Sequence, residues 1–135
     1  MGHKTRVLII DDEPDFTDLV CRALNRTGRL EVSAANNADE GIVLAGRELP
    51  DIILLDILMP GEDGFSVLKR LKENSSTVGI PVVMVTALTS HEARLMALRL
   101  YCEGYLEKPC STEDIIDKIK VTLDRRRQLR KRFTS

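Results

Sequence analysis

Asp11-Asp12-Glu13, Asp56, Thr86 and Lys108-Pro109 each stand directly after a short apolar run, at widely separated places in the chain. If those places meet, their chemistry is complementary. Converging carboxylates repel: two unit charges ~4 Å apart cost roughly 4 kcal/mol at an effective dielectric near 20. Such a cluster persists where a cation relieves it, and oxygen-only ligands at a partly open site suit Mg²⁺. The Lys108 ammonium is a compact point charge for a phosphate oxygen or a carboxylate. The Thr86 hydroxyl can donate one more hydrogen bond. Carboxylate, magnesium, lysine and hydroxyl together describe a site for a phosphoryl group, with one aspartate as nucleophile.

The elements that would position these groups follow from hydrophobic pattern. Val7-Leu8-Ile9-Ile10, Ile52-Ile53-Leu54-Leu55 and Val82-Val83-Met84-Val85 are apolar without alternation, which predicts strands covered on both faces of a parallel sheet. Leu30 to Ala34 alternates and Gly104-Tyr105-Leu106-Glu107 is short, so both are expected at sheet edges. The spacing of the strand starts is about that of a strand plus its returning helix. The expected fold is α/β: a doubly wound five-stranded parallel sheet, order 2-1-3-4-5, in a flavodoxin-like three-layer sandwich. In such sheets the functional crevice lies at the carboxyl ends of the strands, beside the reversal of winding. Here that is just past Ile10 and Leu55.

The intervening segments carry helical period. Phe16, Leu19, Val20, Ala23 and Leu24 form one stripe, and Pro14 suits a first turn. Asn37-x-x-Glu40 and Thr89-x-x-Glu92 are capping boxes, with Ser111-x-x-Asp114 a looser one. The last helix is expected to start near Ser111 and bury Ile115, Ile116, Ile119 and Leu123. Its stripe then thins to Leu129 and Phe133 among arginines.

The chain has 135 residues, 43% hydrophobic and 30% charged, which suits one globular domain and excludes a disordered one. Net charge is -1, which argues against a nucleic-acid surface over the whole domain. The balance hides an asymmetry: residues 124–135 hold six basic side chains and one acid, while the rest of the chain is acidic. Cys21, Cys102 and Cys110 show no metal or disulfide spacing, which fits reduced thiols in the cytoplasm. No signal peptide or membrane span is read. A dinucleotide site would need a glycine-rich turn after the first strand, where Asp11-Asp12 stand instead.

Four pieces in order carry a resemblance: Asp11-Asp12; Leu55-Asp56-x-x-Met59-Pro60-Gly61-x-Asp63-Gly64; Pro81-Val82-Val83-Met84-Val85-Thr86-Ala87; and Tyr105-Leu106-x-Lys108-Pro109. Over about Lys4 to Leu123 the chain resembles the CheY-like receiver domain of two-component response regulators. That resemblance implies a receiver domain over 1–123 and a basic extension of the last helix, tail or linker, over 124–135. It implies that Asp56 accepts a phosphoryl group from a sensor histidine kinase or histidine phosphotransferase. Asp12, Asp56 and the Leu58 carbonyl would ligate Mg²⁺, with Asp11 helping through water, while Lys108 and Thr86 would hold phosphoryl oxygens. Thr86 and Tyr105 would form the switch, and Lys108-Pro109 would be a cis peptide.

By the same resemblance the protein is a switch in a phosphorelay, catalysing only its own phosphorylation and dephosphorylation. The readout face would be the fourth helix, fifth strand and fifth helix. Leu95, Met96, Leu98 and Leu100 lie there, some as core and the exposed ones as partner surface. That face would serve an output domain, an effector protein or a homodimer, with neither a membrane nor direct nucleic-acid contact expected. The competing reading is a docking module that never turns over phosphate. Leu58, Leu88 and Tyr101-Cys102 depart from the family's usual residues. The two leucines offer no hydrogen bond to an attacking water, which predicts slow self-hydrolysis.

Overall fold

Every apolar run read above forms a strand, and each strand hands the chain to a helix. The structure, a computed structural model, describes residues 3–134. The elements are β1 (Thr5–Ile10), α1 (Pro14–Asn25), β2 (Leu30–Ala35), α2 (Ala38–Glu48) and β3 (Ile52–Leu55), then α3 (Gly64–Glu73), β4 (Val82–Thr86), α4 (His91–Arg99), β5 (Gly104–Glu107) and α5 (Thr112–Thr134). The sheet is wholly parallel in the order β2-β1-β3-β4-β5.

The two faces of the sheet are covered by different helices. Leu8, Ile10, Ile53, Leu55, Val82 and Met84 pack toward α2, α3 and the Ala97 side of α4. Val7, Ile9, Ile52, Leu54, Val83 and Val85 pack toward Val20 and Leu24 of α1 and Ile115 and Ile119 of α5. Burying each such side chain stabilises by roughly 1.5–3 kcal/mol. Successive residues of one strand therefore serve opposite cores, which is why the central runs show no polar alternation.

Several local expectations are corrected. Leu19 is exposed and Thr17 is buried in its place, its hydroxyl donating to the Pro14 carbonyl at 3.1 Å. The α4 cap is Ser90 rather than Thr89: the Ser90 hydroxyl accepts from the Ala93 N–H. On α5, Ile115 and Ile119 are buried, but Ile116 and Leu123 are only half-buried and Thr122 completes the inner face. Asn37 caps α2 through the Glu40 N–H. Ser111 and Asp114 bond reciprocally, side chain to N–H, at the start of α5.

Helix α4 packs through its alanines. Ala93 and Ala97 are buried, while Leu95, Met96 and Leu98 are exposed, and only Leu100 of the four expected apolar residues packs against the core. The helix ends with Tyr101 in the left-handed region (φ 69°), its ring in solvent. The Cys102 N–H returns to the Ala97 carbonyl, the geometry for which glycine is the usual choice. Among the described residues no helix is long and apolar enough to cross a membrane.

Candidate functional site

Register decides what meets. Ile10 pairs with Leu55, so the next residues of β1 and β3, Asp11 and Asp56, leave the sheet side by side. The Asp56 N–H donates to the Ile10 carbonyl and the Asp11 N–H to the Ala35 carbonyl, which fixes both backbones. On the other flank Thr86 pairs with Glu107, and the Lys108 N–H donates to the Thr86 carbonyl at 2.9 Å. Asp11, Asp56 and Thr86 are each almost wholly buried. The Lys108-Pro109 peptide is cis.

Side chains then converge. One carboxylate oxygen from each of Asp11, Asp12, Glu13 and Asp56 lies within 4.8 Å of the others. The Lys108 ammonium donates to Asp11 at 2.7 Å and stands 3.4 Å from both Asp56 and Glu13. Burial pushes the Asp11 carboxyl above its ordinary range, and the bond from Lys108 only partly restores it. Burial alone would lower Lys108, but its bond to Asp11 and the charges of Asp11, Asp56 and Glu13 raise it instead. One lysine is thus set against four clustered carboxylates. The donor set is all oxygen, partly open at Asp12 and Glu13, and fits a hard divalent cation such as Mg²⁺.

A second cluster adjoins the first. The buried Thr86 hydroxyl accepts from the Leu88 N–H at 3.3 Å, and the Tyr105 hydroxyl donates to the Leu88 carbonyl at 2.6 Å. The Arg94 guanidinium lies 4.6 Å from the centre of the Tyr105 ring and also pairs with Glu107. Leu58 is exposed at the mouth, its N–H donating to Asp56 Oδ1 at 3.2 Å.

Two contributors, Asn36 and Phe16, escaped the sequence reading, and a third, Gly64, stands in the quoted motif without a role assigned to it. Asn36 donates to the Asp11 carbonyl and the Thr17 hydroxyl, pinning the acidic loop from β2; its only signal was its place just past a strand end. Phe16, read as helix core, lies under Lys108, with Nζ 4.2 Å from the ring centre. Gly64 lies against the backbone that carries Asp56: a Cβ there would stand 2.2 Å from the Asp56 carbonyl oxygen. Gly61, in the same loop, has φ +79°, a region glycine enters freely.

Known proteins share this sequence pattern and this fold. The family model described as "Response regulator receiver domain" matches residues 7–120. The DNA-binding dual master transcriptional regulator RpaA of Synechocystis is 37% identical over 120 residues, 89% of this chain and 49% of that protein. The Escherichia coli phosphate regulon transcriptional regulatory protein PhoB is 35% identical, over 52% of its length. The chain thus spans about half the length of these regulators, whereas it covers 97% of protein PilH of Pseudomonas aeruginosa at 34% identity. Among solved structures, a CheY-like receiver domain protein from Methanospirillum hungatei has a TM-score of 0.86 at 29% identity, covering 93% of this chain and 98% of that one. Vibrio cholerae CheY4 scores 0.84 at 27% identity, covering 89% and 99%.

Proposed function

The chain belongs to the response regulator receiver domain family, and from that premise we propose that it is a phosphorylation-activated switch of a two-component phosphorelay. The phosphoacceptor is Asp56, and the donor is a phosphohistidine on a sensor histidine kinase or histidine phosphotransferase in the cytoplasm. A carboxylate oxygen of Asp56 attacks phosphorus. The new O–P bond forms as the P–N bond breaks, and the imidazole nitrogen keeps the electron pair and takes up a proton.

Asp11, Asp12, Asp56 and the Leu58 carbonyl are the groups that would hold Mg²⁺, with Asp11 acting through water. Bound there, the ion neutralises charge on the transferring group. Lys108 takes one phosphoryl oxygen, exchanging part of its present contact with Asp11 for it. The Thr86 hydroxyl takes another, which requires it to give up the Leu88 N–H. Release of Leu88 loosens the carbonyl that anchors Tyr105, so the ring is freed toward the space Thr86 leaves. Phosphorylation adds negative charge and three strong acceptor oxygens at this point, and the readout is the α4-β5-α5 face, which addresses an output domain, an effector or a second copy.

The observation that carries this reading is the placement of Lys108 Nζ between Asp11 and Asp56 in one acidic cleft. Residues 1–123 form the receiver unit in this scheme, with 124–135 as its basic extension. The test is incubation with acetyl phosphate and Mg²⁺, read by intact mass. A gain of roughly 80 Da, one PO₃H, is expected in the parent and not in Asp56→Asn. A parent that gains no mass would leave only a docking role.

A further inference from the structure

Two cavities lie where the strands begin, at the opposite end of the sheet from Asp56, and phosphoryl transfer uses neither. The first, about 160 Å³, sits between the start of β2 and α5 and is lined by the aliphatic side chains of Leu30, Ile116, Ile119 and Leu123. The second, about 360 Å³, is bounded by the segments before β3 and β4 and by the next turns of α5. Lys4, Arg126, Arg127 and Arg130 line it against one carboxylate among the described residues, Asp51. Thr5, Leu123 and Arg127 line both cavities, so the two adjoin. The cause lies in α5: Ile116, Ile119, Leu123, Arg127 and Arg130 recur at three-and-four spacing. One stripe of the helix thus passes from aliphatic to cationic as it leaves the sheet. No described residue lining either cavity belongs to α4 or β5.

The chemistry of the walls selects the occupant. Arg126 pairs with Glu103 at 2.9 Å and donates to the Gly79 carbonyl at 2.7 Å, and Arg127 pairs with Asp124 at 2.8 Å. These guanidiniums are held in place before any ligand arrives, and guanidinium and ammonium groups around one space suit a ligand with several phosphate oxygens. Asp51, one oxygen of which accepts the Arg6 N–H at 2.8 Å, disfavours a bare polyanion and suits a ligand that also carries hydroxyl or amino donors. The basic cavity alone falls within the ~300–1,000 Å³ of small-molecule sites. A nucleic-acid backbone or a layer of lipid headgroups would meet the arginines and leave the aliphatic cavity unfilled, whereas a planar heterocycle fills it. We propose that the two cavities form one site for a nucleoside diphosphate or triphosphate. Its ring lies among Leu30, Ile116 and Leu123, and its phosphates lie at Lys4, Arg127 and Arg130. The inference does not depend on phosphoryl transfer at Asp56.

The test is titration calorimetry of the whole chain with ADP, adenosine and pyrophosphate, in chelator so that no metal bridges the ligand to the acidic cleft. ADP is expected to bind saturably at a single site. Adenosine and pyrophosphate should each bind about tenfold or more weaker, because each fills one cavity only. Lys4→Glu and Arg127→Gln should each weaken ADP binding by about fivefold or more, with unchanged circular dichroism because both side chains are exposed. Asp56→Asn should bind ADP like the parent even if it takes up no phosphoryl group. The proposal is overturned by no binding of ADP, by pyrophosphate or adenosine binding as well as ADP, or by ADP binding that survives either substitution. Loss of ADP binding in Asp56→Asn would place the ligand in the acidic cleft and overturn it too. It is also overturned if a short random-sequence DNA duplex or phosphatidylglycerol vesicles displace ADP at equal phosphate concentration, which would make the basic turns a general polyanion surface.

Discussion

Tyr105 donates its phenolic hydrogen to the Leu88 carbonyl at 2.6 Å, while the N–H of the same leucine is held by Thr86. Burial raises the phenol above its ordinary 10.0, against the smaller opposing pull of Arg94. An acid whose folded value is raised contributes stability that is full below the unfolded value and is lost as pH climbs through the folded one. The parent should therefore be more stable than Tyr105→Phe at neutral pH by about 1 kcal/mol, one hydrogen bond. That advantage should shrink as pH rises beyond 10.0. Urea melts of both proteins across that range check it; a constant difference would contradict it.

Among the described residues, Lys108 is the one cation paired within the cluster of four carboxylates, and the Asp11 and Asp56 side chains are 2% and 4% exposed. Lys108→Met leaves buried charges without a partner, a loss of about 3 kcal/mol. Thermal melts in chelator should show that loss, and excess Mg²⁺ should recover much of it by supplying the missing positive charge. An equal deficit in both buffers would count against a cation site.

Gly64→Ala forces a methyl group onto the Asp56 and Ile57 backbone. Overpacking of that kind costs about 1–3 kcal/mol. The variant should also take up phosphoryl from acetyl phosphate more slowly, because the displaced segment carries Asp56, the proposed nucleophile. Normal uptake kinetics in a destabilised protein would show that Gly64 serves the fold alone.

The fold was legible because the three inner strands declare themselves by composition, and the acidic turn, Thr86 and Lys108 all follow such runs. What stayed hidden depends on distances between elements. Nothing in the order of residues says that Phe16, at the edge of the core stripe, also lies under Lys108, or that Asn36 reaches the Asp11 carbonyl. The misplaced cap at Thr89 has a plainer cause: Thr89 and Ser90 are adjacent hydroxyl residues, and pattern alone does not choose between them. The exposure of Leu95, Met96 and Leu98 arises because α4 lies on the sheet through small residues, a choice invisible to a hydrophobic count.

Leu58 stands at the mouth, beside Asp56, and presents only methyl groups. Leu58→Asn would offer a hydrogen bond to an incoming water and should shorten the lifetime of the aspartyl phosphate by roughly tenfold, the effect of about 1.4 kcal/mol. The comparison is the decay of the phosphoprotein by intact mass. Equal lifetimes, or a shorter one in the parent, would refute it.

Tyr101 holds a left-handed conformation at a helix end that costs a residue with a Cβ about 1 kcal/mol. Since its ring is largely exposed, Tyr101→Gly removes strain and little packing. The variant should melt higher, by a few degrees for a domain of this size.

The reach from Asp11 to Lys108 spans 97 positions, and the lysine is held in place by the last strand to be synthesised. A chain still emerging from the ribosome carries Asp11 and Asp56 long before it carries the ammonium that completes the cleft. A copy truncated before Lys108 would therefore hold the acidic cluster without the ammonium that balances it. Closure of the cleft would thereby report that translation has passed β5 and that this edge strand has docked, with α5 still to follow.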